Sequence, residues 1–399
     1  MHSLPYWRLS GYYFFYFAFI GAFSPYFGLY LKSLSFSAWD IGLLMSQMQL
    51  MRLFGPYLWG ALADRLARRV AIIRLAGLIS LIGFSAFFFV RSFEAFLVAM
   101  ALMAFFWSAA LPLVETVTFD HLRLEPARYS RIRLWGSIGF VVAVMGTGAL
   151  LDYLPLPSLL WVITAILVGI LFLAFLVPEG PAHPHVEAHL PVGEILRQPR
   201  VRALFASCFA MSAAHGALYV FYSIYLADHG YSKLLVGGLW SLGVLAEIAV
   251  FLYMPRLMRR YGLRSILLAS FVAALLRFLM IGWGVEFLSV IVLAQLLHGL
   301  TFGAHHAASI TAVNSWFPGR SQARGQALYS SLSFGAGGLL GGLLSGWMWD
   351  GIGAPLTYTL SALFALLGLL LVALWVPQDG AADVSAAGTS RVVDQSSTL

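Results

Sequence analysis

The sequence predicts an all-α membrane protein whose twelve transmembrane helices form two six-helix repeats. Three observations predict this fold class: the composition, the number and length of the apolar stretches, and an internal repeat. Of the 399 residues, 60% are hydrophobic and only 10% are charged, and the mean hydropathy is +0.85. A soluble protein of this length would need far more polar surface, so the chain is predicted to lie in a lipid bilayer.

About twelve apolar stretches are each roughly 20 residues long, which is enough for a helix to cross a ~30 Å hydrocarbon core. The predicted spans are 9–31, 40–62, 71–91, 94–118, 132–151, 157–177, 203–227, 234–255, 264–283, 286–312, 323–347 and 354–376. The first stretch is too long for the apolar part of a signal peptide, so it counts as a span. The predicted domains are an N-terminal bundle (1–177), a cytoplasmic linker (178–202), a C-terminal bundle (203–377) and a disordered tail (378–399).

The arginines are sorted by side of the membrane. They crowd alternate turns: Arg65, Arg68, Arg69 and Arg74; Arg123, Arg128 and Arg131; Arg197, Arg200 and Arg202; Arg256, Arg259, Arg260 and Arg264; Arg320 and Arg324. The turns in between carry only Lys32, Arg91 and Lys233. This asymmetry follows the positive-inside rule and predicts that both termini and the linker lie in the cytoplasm. Because topology accounts for the net charge of +7, no nucleic-acid partner is predicted.

The two halves of the chain share short sequence patterns at a nearly constant offset. Tyr30-Leu31, Ser37 and Gly42 recur as Tyr225-Leu226, Ser232 and Gly237, and the run 65–69 recurs as 256–260. Parallel six-helix repeats are typical of an architecture whose substrate site lies near the bilayer midplane, between the halves. The offset also makes Arg52 in the second span the counterpart of Glu247 in the eighth.

Three ionisable residues, Glu247, Arg277 and His298, lie deep inside apolar spans of the second half. Glu247 and Arg277 lie at nearly the same distance from the turn between spans eight and nine, and Arg277 and His298 at nearly the same distance from the turn between spans nine and ten. Each helical hairpin therefore brings its two residues level, and all three are predicted to lie at one depth. A charge at mid-membrane costs roughly 2.5–3.5 kcal/mol, so residues of this kind are expected to serve a function. We predict a functional cluster of these three residues, in which His298, with an ordinary pKa of about 6.5, is the best candidate for a titratable relay. The alternative is that Arg277 merely neutralises Glu247.

The first half holds a second set of buried charges. Glu115, near the end of the fourth span, and Arg133, near the start of the fifth, lie about level across their loop. Arg52 lies deeper in its span than snorkelling explains. A guanidinium binds a carboxylate through two parallel hydrogen bonds, so Arg133 or Arg52 is a predicted partner for an acidic substrate. The alternative for Glu115 and Arg133 is a structural salt bridge.

Other polar and aromatic side chains are predicted to line the same cavity. His215 and Tyr219 lie one turn apart on the seventh span and therefore share a face. Trp135 and Trp240 lie near the charged residues, where aromatic rings can cover an aryl group. The alternatives are a histidine satisfied between helices and tryptophans that only fill helix contacts.

The turn after the second span reads Gly60-Ala-Leu-Ala-Asp64-Arg65-Leu-Ala-Arg68-Arg69. It resembles the G-x-L-A-D-R-x-G-R-R signature of the major facilitator superfamily, with Ala67 in place of one glycine. The predicted role is a conformational lock of Asp64, Arg65, Arg68 and Arg69, in which Asp64 pairs with arginines and caps a neighbouring helix. A plain basic turn is the alternative. In the second-half copy Pro255 replaces the aspartate, so the lock is predicted in one half only.

Two further runs are similar to those of lactose permease and its relatives. They are Pro112-Leu-Val-Glu115 and Arg131-Ile-Arg133-Leu-Trp135-Gly136. The resemblance implies that Glu115 and Arg133 hold the substrate. Arg277 and His298 also match the arginine and histidine of that family's proton-coupling helices. One departure is Thr301, which stands where those symporters carry a glutamate.

A narrower resemblance, to the 3-phenylpropionate permease branch of the superfamily, is stronger and extends over essentially all twelve spans. It rests on the runs 133–137, 230–232, 239–244, Ala246-Glu247, Leu297-His298 and Thr301-Phe302. It implies a secondary active transporter of the bacterial inner membrane that couples the uptake of a small aromatic carboxylate, such as a phenylpropionate, to protons. The alternatives are a proton-driven exporter of hydrophobic compounds and a sugar or nucleoside proton symporter.

No enzyme, metal or cofactor chemistry is predicted. The sequence offers neither a nucleophile with its base nor three metal ligands in place. His305 and His306 are adjacent on a helix and point about 100° apart, so they cannot both face one ion. Cys208 is the only cysteine, which excludes a disulfide framework. The predicted partners are the small-molecule substrate, protons and the bilayer, and the predicted state is a monomer.

Overall fold

A computed structural model describes residues 4–66, 68–122, 128–180 and 192–378, and this part of the chain is helical with no β-strand. The long helices are α1 (Tyr6–Ser33), α2 (Ala38–Leu66), α3 (Arg69–Phe88), α4 (Phe93–Leu122), α5 (Tyr129–Tyr153), α6 (Ser158–Leu176), α7 (Pro199–Asp228), α8 (233–261), α9 (263–283), α10 (Leu288–Trp316), α11 (Arg324–Ile352) and α12 (Ala354–Trp375). All twelve predicted spans are present as helices, most of them a few residues longer than predicted.

Three of the twelve helices, α2, α8 and α9, depart from a simple apolar span. Helices α8 and α9 form one 51-residue stretch, Lys233–Trp283, which is broken at Gly262, where φ is 73° and the chain turns back. Ten helical stretches in the described residues are long and apolar enough to cross a membrane, and that count takes α8 and α9 as one. Helix α2 is outside the count because it is less apolar, with Gln47, Gln49 and Arg52 near its middle. It nevertheless packs between α4 and α11 inside the bundle.

The two halves repeat each other in contacts as well as in sequence. Helix α1 packs on α5 and α6, and α3 on α4 and α6; in the second half α7 packs on α11 and α12. Arg74 of α3 donates to the carbonyl oxygen of Ala174 at the end of α6 (3.1 Å), and Arg264 of α9 donates to that of Ala373 at the end of α12 (2.8 Å). The predicted six-helix pseudo-repeat is therefore confirmed.

The predicted domain boundaries lie partly outside the described residues. The linker (178–202) includes 181–191, which are not described, together with the short helix Gly193–Arg197 and the first residues of α7. The tail (378–399) lies outside the described residues except for Gln378. These boundaries remain predictions.

The halves meet along α2 with α11, α5 with α8, and α1 with α7. Glycines allow the backbones to approach closely in these contacts. A Cβ atom added to Gly42 of α2 would lie 2.8 Å from the Cα atom of Gly346 in α11, so no larger residue fits there without a shift. Small residues at such crossings let membrane helices associate tightly.

Reciprocal polar contacts join the halves at one end of the bundle. We call the end next to the arginine-rich turns the basic end and the opposite one the distal end. At the distal end, Asp152 of α5 accepts hydrogen bonds from the first amides of α8, those of Lys233 (2.7 Å) and Leu234 (3.0 Å). Asp350 of α11 accepts one from the amide of Ala38 at the start of α2 (2.9 Å). An aspartate at a helix start satisfies free amides and the positive end of the helix dipole.

A third contact at the distal end joins the ends of α1 and α7. The ammonium group of Lys32 donates to the carboxylate of Asp228 at 2.7 Å. The two aspartate caps and this ion pair hold the halves together at the distal end.

Candidate functional site

Arg277 of α9 is the largest fully buried side chain, with 1% of its surface exposed, and neutral groups surround its guanidinium. Its Nε donates to the carbonyl oxygen of Ala294 (3.0 Å) and its Nη2 to Oε1 of Gln295 (3.1 Å). Its Nη1 lies 3.1 Å from Oγ1 of Thr301 and 3.3 Å from Nε2 of His215. Among the described residues no carboxylate lies within 4.0 Å of this guanidinium, so its positive charge has no direct counter-ion.

His215 connects Arg277 to α7. Its Nδ1 donates to the carbonyl oxygen of Met211 (2.8 Å), so its Nε2 is free to accept from Arg277 and the ring is neutral. The residue lies where α7 breaks into two segments, Pro199–Ala214 and Gly216–Asp228. The break brings the imidazole into the interior at the depth of Arg277.

His298 and Glu247 form the other side of this cluster. Nε2 of His298 lies 4.0 Å from Oε2 of Glu247, just beyond hydrogen-bonding distance, and its ring centroid is 6.2 Å from that of His215. Nδ1 of His298 is buried and has no partner. The three ionisable residues predicted to share one depth thus lie in one cluster. The Glu247–Arg277 pair considered from the sequence is absent, because Arg277 is held by His215, Thr301 and Gln295 instead.

An aromatic wall covers the cluster. Tyr219 stacks on His215, one turn away, and also on Trp240 of α8, with ring centroids 5.9 Å and 6.2 Å apart. The indole N–H of Trp240 donates to Oγ of Ser223 (3.0 Å), which fixes the ring. Tyr219 is only partly buried, so part of its ring remains accessible from the interior of the bundle.

In the first half, Glu115 and Arg133 are linked through a third residue. Among the described residues they form no direct ion pair; the hydroxyl of Tyr129 donates to Oε1 of Glu115 (3.0 Å) and lies beside Arg133. The guanidinium of Arg133 stacks over the ring of Phe17 of α1, 3.8 Å from its centroid. Both charged side chains are only partly buried. A simple structural salt bridge therefore does not describe this pair.

Charged residues of the two halves face each other across the interior. Arg133 of α5 is close enough to Glu247 of α8 for their charges to interact, and Arg52 of α2 is within electrostatic reach of Tyr16 and Tyr219. Arg52 forms no ion pair within the described residues. The partly buried guanidiniums of the first half thus lie within electrostatic range of residues of the second half, across the interface between the two halves.

Trp135 lies elsewhere. Its indole N–H donates to the hydroxyl of Tyr6 (3.2 Å), and its ring contacts Trp7 edge-on at the start of α1. These contacts lie at the basic end of the bundle, where α1 begins. The residue predicted to cover a substrate ring is used here to hold α1 against α5.

The predicted lock forms a network within the first half. Arg69 donates to Asp120 of α4 (2.6 Å) and lies 3.7 Å from Asp64. The amides of Arg69 and Val70, at the start of α3, donate to Glu179. Asp64 therefore pairs with an arginine as expected, but Glu179, after α6, supplies the helix cap.

The other two arginines of the lock, Arg65 and Arg68, are exposed. In the second-half copy, Arg256 and Arg260 lie over the rings of Tyr253 and Tyr261. The one-sided lock remains a prediction.

His305 and His306 point to different neighbours. His305 contacts Phe271 of α9 edge-on, whereas Nδ1 of His306 lies 2.8 Å from the hydroxyl of Tyr329 in α11. Within the described ranges no group of three His, Cys, Asp or Glu residues is placed to hold a metal ion.

Sequence reasoning missed five residues that organise these sites: Phe17, Asp120, Tyr129, Glu179 and Gln295. Tyr129 carried a signal, because it lies four residues before Arg133 and therefore on the same face of α5. Gln295 also carried one, as a polar residue inside an apolar span three positions before His298. The partners of Arg69 lie about 50 and 110 residues further along the chain, and no local pattern points to them.

Two six-helix repeats with ionisable side chains buried between their helices define a membrane transporter of the major facilitator type. Within that class, the chain belongs to the MFS_1 like family, whose model matches residues 6–360. It is 28% identical over 373 residues to a probable 3-phenylpropionic acid transporter of Escherichia coli (strain K12), covering 92% of this chain and 96% of that protein. It is 27% identical over 379 residues to the maltose permease of Geobacillus stearothermophilus, covering 91% and 93%.

The crystal structure of a D323A mutant of the nucleoside transporter NupG has the same fold. Its TM-score is 0.82 with 20% sequence identity, and the match covers 93% of this chain and 98% of that one. The relatives in sequence and the neighbour in structure are all transporters. The predicted class, a multi-pass transporter and not an enzyme, is therefore confirmed.

Proposed function

We propose that this protein imports small aromatic carboxylates together with protons, by alternating access across a bacterial inner membrane with both termini in the cytoplasm. The observation that carries the substrate class is the pair of arginines, Arg52 and Arg133, which lie at the interface between the two halves with no carboxylate of the described residues within ion-pair distance. A guanidinium in a poorly solvated cavity favours an anionic ligand. The aromatic rings of Phe17, Tyr219 and Trp240 supply apolar surface for an aryl group.

The relatives support this choice over other small molecules. The probable 3-phenylpropionic acid transporter is matched over almost its full length, and its named substrate combines an aryl ring with a carboxylate. The match to maltose permease favours a second candidate, a neutral sugar, and is of similar extent. The unpaired arginines favour the carboxylate, since a neutral sugar would leave both charges without a counter-ion.

Proton coupling is proposed for the cluster of the second half. Glu247 and His298 lie 4.0 Å apart beside the cavity, and the uncompensated charge of Arg277 lies behind them. A proton on Glu247 or His298 changes the charge of this cluster by one unit. Such a change biases an equilibrium between two arrangements of the halves when the cluster is more accessible in one of them.

A ligand screen by thermal unfolding tests the substrate class. We expect 3-phenylpropionate to raise the melting temperature of the purified protein. A ligand whose free concentration is 100 times its Kd stabilises the folded state by about 2.7 kcal/mol. The matched control is 3-phenylpropanamide, which has the same shape without the charge and should have little effect. Stabilisation by maltose or nucleosides with none by aryl carboxylates would reject the proposed substrate.

Alternating access predicts that the distal contacts are transient. We expect the double variant Asp152→Asn, Asp350→Asn to open the distal end more often, because each aspartate loses the charge that interacts with a helix start, at about 1 kcal/mol per cap. The reporter is Val144→Cys at the interface, in a Cys208→Ser background that has no other cysteine. Its labelling by a membrane-impermeant maleimide should be several-fold faster in the double variant, with each single variant in between.

Asp40→Asn is the control for the distal caps. Asp40 lies at the same end and loses the same charge, but its carboxylate binds only Ser37 at the start of its own helix. If Asp40→Asn accelerated labelling as much as the double variant does, general electrostatics would explain the result and the caps would not.

A further inference from the structure

A small cavity lies within the second half, between α7, α10 and α11. Its volume is about 30 Å³. The polar residues of its lining are Cys208, Ser212, His215, Tyr219, Thr301, His305, His306, Tyr329 and Ser333. We call it the histidine chamber. Every residue that lines it belongs to the second half.

Two buried polar atoms in the chamber have no hydrogen-bond partner among the described residues. They are Nε2 of His305, whose residue is 4% exposed, and Oγ of Ser333, whose residue is 2% exposed. A buried polar group without a hydrogen bond costs about 1–3 kcal/mol, so such groups are normally satisfied by water when the protein offers no partner. A cavity of this volume with several polar groups has room for one water molecule.

Two of the three helices that line the chamber, α10 and α11, widen there into π-helical turns. These turns are Gly299–Ala304 in α10 and Ser331–Gly337 in α11, and they contribute Thr301 and Ser333 to the lining. A π-helical turn is less stable than the α-helix it interrupts and occurs often at functional sites. Two such turns facing one polar cavity indicate that this geometry is not a packing accident.

The chamber connects two hydrogen-bonded groups at different depths. Towards the basic end is the contact of His306 with the hydroxyl of Tyr329, five residues or about 7.5 Å beyond Arg324, where α11 begins. Towards the middle of the membrane are His215 and Thr301, which bind Arg277. Beyond them lie His298 and Glu247.

We propose that the histidine chamber holds an internal water molecule that carries protons between the basic end of the bundle and the Glu247–His298 pair. The water accepts a proton from one neighbouring ring or hydroxyl and donates one of its own to the next, so no net charge stays in the chamber. The ionisable groups that line it are Cys208, His215, Tyr219, His305, His306 and Tyr329, and Arg277 is the fixed charge bound to His215 and Thr301. This inference rests on the proposed proton coupling.

Filling the chamber tests the inference. Ser333→Val removes the unpaired hydroxyl and places methyl groups in the space of the water, whereas Ser333→Ala removes the hydroxyl and leaves the space open. In proteoliposomes with an imposed proton gradient and 3-phenylpropionate as substrate, we expect Ser333→Val to slow uphill uptake about tenfold or more and Ser333→Ala to slow it about threefold or less. Substrate exchange without a gradient should stay within about twofold of the unmodified protein in both.

Tyr329→Phe is a second variant that avoids any overpacking. It keeps the ring and removes the hydroxyl bound by His306, so it should also slow gradient-driven uptake and spare exchange. Tyr231→Phe is its control, because that hydroxyl donates to Val285 in the distal turn, far from the chamber. If Ser333→Val and Tyr329→Phe both support gradient-driven uptake at the rate of the unmodified protein, the proposed water route is wrong. If the unmodified protein itself shows exchange but no response to the proton gradient, the proposed coupling fails and this inference fails with it.

Discussion

Glu247→Gln is expected to abolish the uphill accumulation of substrate while substrate exchange across the membrane continues. Glutamine keeps the size and most of the hydrogen bonding of glutamate but cannot take up or release a proton. Because Oε2 of Glu247 lies 4.0 Å from His298 and beside the cavity, its loss removes the carboxylate of the coupling cluster. The measurement is substrate-driven alkalinisation outside proteoliposomes, together with the accumulation ratio under an imposed proton gradient.

Glu286→Gln is the matched control for that experiment. Glu286 is an exposed carboxylate in the turn between α9 and α10, away from the cluster, so its neutralisation should leave coupling unchanged. A Glu247→Gln protein that still accumulates substrate against its gradient would exclude Glu247 from proton coupling. His298 would then be the remaining titratable member of the pair.

Arg133→Gln is expected to weaken the binding of 3-phenylpropionate by about 30-fold to 1,000-fold, which corresponds to ~2–4 kcal/mol for one side of a charged hydrogen-bonded pair. Arg133→Lys should lie in between, since lysine keeps the charge but cannot form two parallel hydrogen bonds or stack flat on Phe17. The Kd is measured by titrating the ligand in the thermal unfolding assay.

Arg131→Gln serves as the control for charge alone. Arg131 lies two residues earlier on the same helix and is exposed at the basic end, so the variant loses the same charge away from the cavity. Should Arg133→Gln bind as tightly as the unmodified protein while Arg52→Gln loses affinity, Arg52 would be the carboxylate partner. If neither variant loses affinity, the substrate does not bind through these arginines.

The fold follows from the sequence because lipid imposes few solutions. In hydrocarbon every backbone amide and carbonyl must be satisfied within the segment, so an apolar stretch of about 20 residues becomes a helix. Even α2, which carries Arg52 at its centre, is predicted as the apolar stretch 40–62. The break in α7 at His215 was not predicted. The helix is interrupted there without a proline, at the position before Gly216, whose backbone packs against Gly341 of α11.

The candidate site was predictable in position but not in its contacts. The hairpin geometry predicts Arg277 and His298 at one depth in the membrane, because the number of residues between each of them and the turn fixes that depth. It could not show which way the Arg277 side chain turns. The guanidinium binds neutral acceptors on α7 and α10 instead of Glu247, and that choice depends on rotamers and on Gln295, which sequence spacing does not reveal.

The aspartate caps at the distal end also have the form of an isologous dimer interface. Each half presents an aspartate at the end of its fifth helix and a free helix start on its second, and each group binds its counterpart in the other half. Two identical six-helix chains related by a two-fold axis would form the same pair of contacts without any further adaptation. The contact that closes the distal end is thus the one through which an unfused ancestral half could have recognised a second copy of itself.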